Sequence, residues 1–228
     1  MKQSLERLIR IRDLGFSPQC ILDGGAFTGR WAREAHAIFP DAHIILVEPN
    51  PLLQEEIAKY TAEFAEKTTL VAKALADKPK EVILHVWEDA RHNNPITAMA
   101  ASSLCSHVQG EPARQMPVPA TTVDAIVAET GFLPDLVKLD LQGGEKYALA
   151  GATQTLQYAE FVIVEFGCLD AYIDRTTPND VMQCLYAHGY ALYDIVDLLY
   201  RPYDGALAGG DFFFVKKDSK LKAYKDYF

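Results

Sequence analysis

Acidic residues close four of the apolar segments in this chain of 228 residues. Asp23, Glu48, Asp140 and Glu165 each follow a short apolar run that is typical of a buried strand. Strands that alternate with helices form parallel sheets, and the carboxyl ends of those strands border the ligand crevice. Carboxylates accept hydrogen bonds from hydroxyl groups and can remove protons from them. The sequence therefore predicts a shared acidic site at one edge of a parallel sheet.

A glycine-rich turn follows the first of these acids. Residues 20–29 read Cys-Ile-Leu-Asp-Gly-Gly-Ala-Phe-Thr-Gly and lead into a helical stretch at 30–39. Glycine lets the chain turn sharply and lets a ligand approach the backbone, and a helix start offers unpaired N–H donors. The pattern indicates a nucleotide-binding turn. It meets G-x-G-x-x-G only in part, because Ala26 occupies the second glycine position, and this disfavours a dinucleotide.

Glu48 follows Gly29 at roughly the 20-residue spacing that places a carboxylate on ribose hydroxyls in Rossmann-type sites. We therefore expect Glu48 to bind a ribose. Asp23 precedes the glycines directly, and we expect it to support the loop rather than to contact the ligand.

The chain is predicted to form one α/β domain at 18–228, with an N-terminal helix at 1–17 packed on it. Residues 4–14 carry the helical stripe of apolar residues that indicates this helix. The last two strands are joined by a short Gly- and Pro-rich connection, so we expect them to be antiparallel. The predicted strands are 20–23, 43–48, 69–75, 81–87, 136–140, 161–165, 190–200 and 211–217.

Residues 88–120 break the alternation of strands and helices and are rich in Asn, Ala and Pro. Long loops inside compact domains are commonly functional, so we expect a lid-like insertion that faces the substrate. Ser102, Ser103, His92 and His107 lie in it and are candidate substrate-binding residues. The two histidines are also alternative proton acceptors, although a lone loop histidine is more commonly solvated surface.

The composition argues against nucleic-acid-binding, membrane-spanning and secreted proteins. The formal net charge of −9 argues against a nucleic-acid partner, since phosphate binding usually needs a basic face. No stretch has the length of a membrane span, and the first ten residues lack the apolar core of a signal peptide. The four cysteines are scattered without a C-x-x-C pair, which favours free thiols. We expect a cytoplasmic protein with no membrane partner.

Six short motifs, together with their order along the chain, make the sequence resemble the FkbM family of S-adenosylmethionine-dependent methyltransferases over about 18–217. The most specific is Lys-Leu-Asp-Leu-Gln-Gly-Gly-Glu at 138–145, which is similar to the family's K-x-D-x-[EQ]-G-x-E. The others are the glycine turn at 20–29, Val-Glu-Pro at 47–49, Ser-Ser-Leu at 102–104, Thr-Thr-Val-Asp at 121–124 and Val-Glu at 164–165.

The resemblance implies a Rossmann-like class I methyltransferase fold: a mostly parallel seven-stranded sheet with helices on both faces and an antiparallel last strand. It also implies S-adenosyl-L-methionine as cofactor and O-methylation of a sugar or glycan, a polyketide or another small molecule. Phe27 stands where the family commonly has Asn. The resemblance implies the following cofactor-binding residues: Asp23, Gly24, Gly25, Ala26, Gly29, Glu48, Pro49, Ala74, Leu75, Asp140 and Gln142.

Methyl transfer to an alcohol requires the acceptor to lose a proton. We predict Asp140 or Glu145 as the general base, with Glu165 in support, and no metal. An NAD-dependent oxidoreductase that uses the same turn is the alternative enzyme, and a non-catalytic nucleoside-binding protein is the alternative binder. The identity of the acceptor and the oligomeric state, with a homo-oligomer as one option, stay open.

Overall fold

The computed structural model describes residues 2–87, 96, 99–106 and 113–224. Its strands are β1 (Cys20–Gly24), β2 (His43–Val47), β3 (Thr68–Val71), β4 (Ala74–Leu75), β5 (Lys80–Trp87), β6 (Ala113–Thr121), β7 (Leu136–Leu139), β8 (Phe161–Gly167), β9 (Tyr190–Tyr200) and β10 (Leu207–Lys216). The α-helices in these ranges are α1 (Gln3–Asp13), α2 (Arg30–Ile38), α3 (Gln54–Thr61), α4 (Val123–Thr130), α5 (Glu145–Ala150), α6 (Thr155–Tyr158) and α7 (Pro178–Ala187).

Seven of these strands form the main sheet, in the order β3-β2-β1-β7-β8-β10-β9. The first five strands in that order run parallel to one another, and β10 runs antiparallel to both β8 and β9. The predicted Rossmann-like sheet with an antiparallel last strand is therefore confirmed. The strand order reverses between β1 and β7, which is where such sheets place a ligand crevice.

Both faces of the sheet are covered, which explains why its central strands are buried along their whole length and are mostly apolar. Every residue of β1 and of β7 is buried. One face packs against α4, α5, α6 and α7, and the other against α1, α2 and α3. Local signals set the helix starts: Thr122 caps α4 by accepting from the Ala125 N–H at 3.0 Å, and Thr177 with Asp180 forms a capping box on α7.

The N-terminal helix α1 belongs to this packing. Leu5, Leu8 and Ile11 lie in the core beneath it. Asp197 of β9 caps the helix by accepting from the Gln3 N–H at 2.7 Å and from the Ser4 N–H at 3.2 Å. Among the helices of the ranges above, none combines the length and the apolarity that crossing a membrane requires.

A second sheet of three strands, in the order β4-β6-β5, corrects two predictions. The strand predicted at 69–75 is interrupted: β3 ends at Val71, and Ala74–Leu75 pairs with β6 in the second sheet. Residues 113–119, most of the proline-rich part of the predicted lid, are not a loop, because they belong to β6.

Two prolines in β6, Pro117 and Pro119, are compatible with a strand because of where they lie. They pair with β5 on one side, while β4 pairs only with Ala120 and Thr121 on the other. Beside Pro117 and Pro119, the edge of β6 that faces away from β5 has no partner strand among the described residues. A proline, which lacks an N–H, removes no hydrogen bond between strands on that edge. Of the predicted lid at 88–120, His92 and His107 lie outside the described residues.

The glycine turn after β1 is held against both neighbouring strands. The N–H of Gly25 donates to the Val47 carbonyl at 2.9 Å, and the N–H of Asp140 donates to the Gly24 carbonyl at 3.0 Å. Gly25 has a φ of +75°, and a Cβ there would stand 1.9 Å from the Asp140 carbonyl oxygen. Only glycine fits where the turn touches the chain that carries Asp140.

Gly25→Ala is expected to destabilise the protein by about 2–4 kcal/mol, the sum of left-handed backbone strain and displacement of the Asp140 backbone. The measurement is urea unfolding followed by circular dichroism.

Gly131→Ala is the matched control, because Gly131 has the same φ of +75° and no atom within 4 Å of a new Cβ. It should lose only about 1–2 kcal/mol, from backbone strain. Equal losses in the two variants would show that the close approach of the turn to Asp140 has no energetic weight.

Candidate active site

A cavity of about 280 Å³ opens where the strand order reverses. Its polar wall contains Gly25, Glu48 and Asp140, and the predicted residues Pro49, Ala74, Leu75 and Gln142 also border it. The apolar walls come from Leu53, Leu84, Met99 and Leu104. The cavity thus combines apolar sides with a few polar groups at one end, as small-molecule sites do.

Glu48 is buried at the end of β2, and backbone donors hold both of its oxygens. Oε2 accepts from the Phe27 N–H at 2.9 Å, and Oε1 accepts from the Asn50 N–H at 2.9 Å. Burial raises the pKa of Glu48 to about 7, against the lowering effect of these two hydrogen bonds. Each oxygen retains capacity to accept from a ligand hydroxyl, and such donors would favour the ionised form.

Asp140 and Glu165 are joined through one amide. The side chain of Gln142 donates through Nε2 to Asp140 at 3.0 Å and to Glu165 at 2.7 Å. Gln142 adopts a left-handed φ of +51°, which is unusual for a residue other than glycine. This backbone conformation turns the amide toward both acids.

The pKa values of the two acids are shifted in opposite directions. Burial acts to raise the pKa of Asp140, but the charge of Lys138 and hydrogen bonds from Glu165 and Gln142 outweigh it and hold the pKa below its usual value. Burial raises the pKa of Glu165 well above its usual value, and the charge of Asp140 raises it further. A proton on this pair is therefore held more strongly by Glu165 than by Asp140.

Lys138 supplies the positive charge beneath this pair. Its Nζ donates to Asp23 at 3.0 Å and lies 3.6 Å from Asp140 Oδ2. The Asp23 side chain is fully buried, and its Oδ2 has no hydrogen-bond partner among the described residues. Burial lowers the pKa of Lys138, but the charges of Asp23 and Asp140 dominate and raise it above its usual value. Asp23 thus anchors the lysine and does not border either cavity at the acidic edge.

Glu145 organises the loop after β7. Its Oε1 accepts from the Leu141 N–H at 2.9 Å and from the Gly143 N–H at 3.2 Å. Ser103 braces the same loop, since its hydroxyl donates to the Gln142 carbonyl at 2.7 Å and accepts from the Cys105 N–H at 2.9 Å. Ser102 accepts from the Trp87 N–H at 3.3 Å. These contacts shape the walls of the cavity.

A larger cleft of about 810 Å³ meets the first cavity at the acidic pair. Asp140, Gln142 and Glu165 border both spaces. The cleft continues past Glu145 toward Tyr172, Arg175, Tyr200 and Asp211. Two separate ligands can therefore meet at the acidic pair, one in each space.

The remaining predicted residues lie in or behind the glycine turn. Gly24 ends β1, and a Cβ there would come within 2.7 Å of Leu75. Ala26 is buried in the core, and Gly29 is the N-cap residue that precedes α2, with a φ of +78°. These residues shape the turn without bordering the 280 Å³ cavity. The apolar walls were missed because Leu84, Met99 and Leu104 come from the second sheet and its connection, which no local pattern links to the turn.

Comparison with protein families gives a match to the methyltransferase FkbM domain over residues 23–192. The chain belongs to the FkbM methyltransferase family. The matched range contains the glycine turn, Glu48 and the acidic pair. It leaves out α1 and β10, which also border the larger cleft. No curated protein sequence matches the chain.

Solved structures share the fold at low identity. A methyltransferase FkbM from Methylobacillus flagellatus KT has a TM-score of 0.54 and 14% identity, over 86% of this chain and 43% of that one. A precorrin-6Y C5,15-methyltransferase from Geobacter metallireducens GS-15 has a TM-score of 0.51 and 14% identity, over 94% and 87%. Fibrillarin from Aeropyrum pernix, with S-adenosyl-L-methionine bound, has a TM-score of 0.50 and 9% identity, over 87% and 66%. The chain thus spans less than half of the FkbM structure.

Lys138→Met is expected to lower the free energy of unfolding by about 3–5 kcal/mol, because it leaves the buried Asp23 carboxylate without its cation. Urea unfolding is again the measurement. Adding Asp23→Asn to this variant should recover part of the loss.

Lys73→Met is the matched control, since Lys73 forms an exposed pair with Glu129 at 3.3 Å. Its expected cost is at most about 1 kcal/mol. A loss in Lys138→Met no larger than in this control would contradict the structural role of the buried lysine.

Proposed function

We propose that this FkbM-family protein transfers a methyl group from S-adenosyl-L-methionine to a hydroxyl group of a small molecule or saccharide. The observation that carries the proposal is the position of Asp140, Gln142 and Glu165 between the two spaces. Transfer between two bound molecules needs the reacting groups of both at one point, and these residues border the point where the spaces meet. The S-adenosyl-L-methionine in the fibrillarin structure, which shares the fold, supports this choice of cofactor.

The residues of the 280 Å³ cavity fit this cofactor. Glu48 would accept hydrogen bonds from the ribose hydroxyls, and Leu75 with Leu84 and Met99 would enclose the adenine. The cofactor, when bound, supplies an electrophilic methyl group on a sulfonium. Its positive charge would lie near Asp140, whose lowered pKa favours the negatively charged carboxylate.

Asp140 would act as general base on the acceptor hydroxyl. Lys138 lowers the pKa of Asp140 and favours its ionised form, whereas the raised pKa of Glu165 favours its protonated form. Gln142 keeps the two carboxyl groups in place through its amide. Glu145 is held by the backbone of its own loop, so the geometry favours Asp140 over Glu145 as the base. The acceptor would occupy the 810 Å³ cleft; with a net charge of −9, a small acceptor is a better fit than a nucleic acid.

Titration calorimetry with S-adenosyl-L-methionine, S-adenosylhomocysteine and NAD, without added metal, tests the cofactor. We expect both adenosyl ligands to bind and NAD to be silent. For S-adenosylhomocysteine, affinity should rise with pH by up to tenfold per unit until about pH 7 and then level off, because the ribose hydroxyls favour ionised Glu48 over the protonated form.

In Glu48→Gln the affinity should be lower and independent of pH between 5.5 and 8.5. Binding of NAD alone would support the oxidoreductase instead. Binding of the adenosyl ligands by a protein that methylates no hydroxyl compound would support the non-catalytic alternative.

Asp140→Asn is expected to reduce kcat by about 10²–10⁴-fold, the usual contribution of a general base, while S-adenosylhomocysteine still binds. Glu165→Gln is the matched comparison, because it replaces a carboxyl group whose raised pKa favours the neutral form. Its kcat should stay within about tenfold of wild type. A larger loss in Glu165→Gln than in Asp140→Asn would assign the base to Glu165.

A further inference from the structure

Arg175 borders the proposed acceptor cleft, and its guanidinium has no carboxylate partner within the part of the chain that the structure describes. Its Nε donates to the Thr176 carbonyl at 3.3 Å, and no acid among the described residues forms an ion pair with its guanidinium. Four other arginines in these ranges have acidic partners: Arg7 with Asp194, Arg12 with Asp13, Arg30 with Glu34 and Arg201 with Asp204. In a protein of net charge −9, an unpaired guanidinium in a cleft needs an explanation.

Two glycines make room for this side chain. A Cβ on Gly167 of β8 would stand 2.2 Å from Arg175 Nη2 and 3.0 Å from its Cζ. A Cβ on Gly143 would stand 3.2 Å from the Arg175 Cβ. The guanidinium therefore lies directly against the strand backbone, in a space that any other residue at 167 would fill.

The backbone around Arg175 is also fixed. The N–H and the hydroxyl of Thr176 both donate to the Gly143 carbonyl, at 2.8 and 2.7 Å. The Thr176 hydroxyl accepts from the Lys146 N–H at 2.9 Å. Asp174 has a left-handed φ of +56°, which costs free energy outside glycine. These contacts join Arg175 to the loop that carries Gln142, so its position is set relative to the acidic pair.

The strand register gives the spacing between Arg175 and the acids. Glu165 and Gly167 are two residues apart on β8, so their side-chain positions share one face of the sheet and lie about 7 Å apart. On β10, Asp211 pairs with Glu165 and Gly209 pairs with Gly167. The floor of the cleft thus has carboxyl groups at one end, which accept from hydroxyls, and a guanidinium above two glycines at the other.

We propose that Arg175 binds an anionic group of the methyl acceptor, a carboxylate or a phosphate, at the Gly167 end of the cleft floor, about 7 Å along β8 from the position of Glu165. The four N–H donors of its two Nη atoms match two oxygens of such a group in a bidentate arrangement. This inference rests on the proposed function, because it assigns the anion to the acceptor of that reaction. The acceptor is therefore a hydroxylated acid or a phosphate ester, of the size of a monosaccharide derivative near its reacting hydroxyl.

The test uses the full chain saturated with S-adenosylhomocysteine, at constant ionic strength. Inorganic phosphate, D-glucose 6-phosphate, D-glucuronate and D-glucose are titrated and followed by ligand-observed NMR. We expect at least one of the two anionic sugars to bind tenfold or more tightly than glucose, and their ranking to distinguish phosphate from carboxylate. Equal binding of the charged and neutral sugars, or binding of none of them, would overturn the proposal.

Arg175→Gln should abolish the preference for the anionic sugar and lower the affinity for inorganic phosphate at least tenfold. Arg175→Lys should lose three- to tenfold, because it keeps the charge but not the paired donors. Arg201→Gln removes the same charge outside the cleft, and Lys2→Gln removes a cation from the cleft wall; both should change the preference less than threefold. If the preference for the anionic sugar survives in Arg175→Gln, or if Lys2→Gln removes it to the same extent, the preference would come from the overall electrostatic potential of the cleft and not from Arg175.

Two controls separate this proposal from the function it rests on. The affinity for S-adenosylhomocysteine in Arg175→Gln should stay within twofold of wild type, and if that variant does not fold, Arg175→Lys carries the test. If wild type fails to bind S-adenosylhomocysteine, the proposed function fails, whereas the inorganic phosphate titration still decides whether Arg175 is an anion site.

Discussion

The buried contact of Lys138 with Asp23 and Asp140 is the interaction on which the site depends. It joins the end of β1 to the end of β7, at the point where the strand order reverses. Burying a lysine is costly unless carboxylates compensate it, so the cation and the two acids have to be retained together. The same charge lowers the pKa of Asp140, whereas burial and the charge of Asp140 raise the pKa of Glu165. One interaction therefore stabilises the crossover of the fold and favours the ionised form of Asp140.

Other contacts keep the two spaces of the site apart and in register. Gly25 brings the first turn against the Asp140 backbone, and Ser103 ties the second sheet to the loop after β7. The second sheet thereby closes the smaller cavity, while α1 and β10 border the larger cleft. The part of the site within the family match forms the proposed donor cavity. Part of the proposed acceptor cleft, bordered by α1 and β10, lies outside that match.

Much of the main sheet could be predicted from sequence because its strands are short apolar runs between helices, and acids mark their carboxyl ends. Glu48 and Asp140 could be placed at one edge on that basis alone. The sequence could not predict the interruption after Val71 or the strand at Ala113–Thr121, because both depend on pairing between distant segments. The prolines in the second segment also make it resemble a loop. Arg175 and Asp211 were missed for the same reason: their place in the cleft follows from strand register and glycine contacts, which no spacing in the sequence encodes.

A crystal structure of the protein with S-adenosylhomocysteine tests the central claim most directly, that the two spaces hold donor and acceptor on either side of the acidic pair. The account predicts the adenosine in the 280 Å³ cavity, with ribose hydroxyls donating to Glu48 and the sulfur facing Asp140 and the larger cleft. S-adenosylhomocysteine lying in the larger cleft, or bound with its sulfur turned away from Asp140, would contradict it.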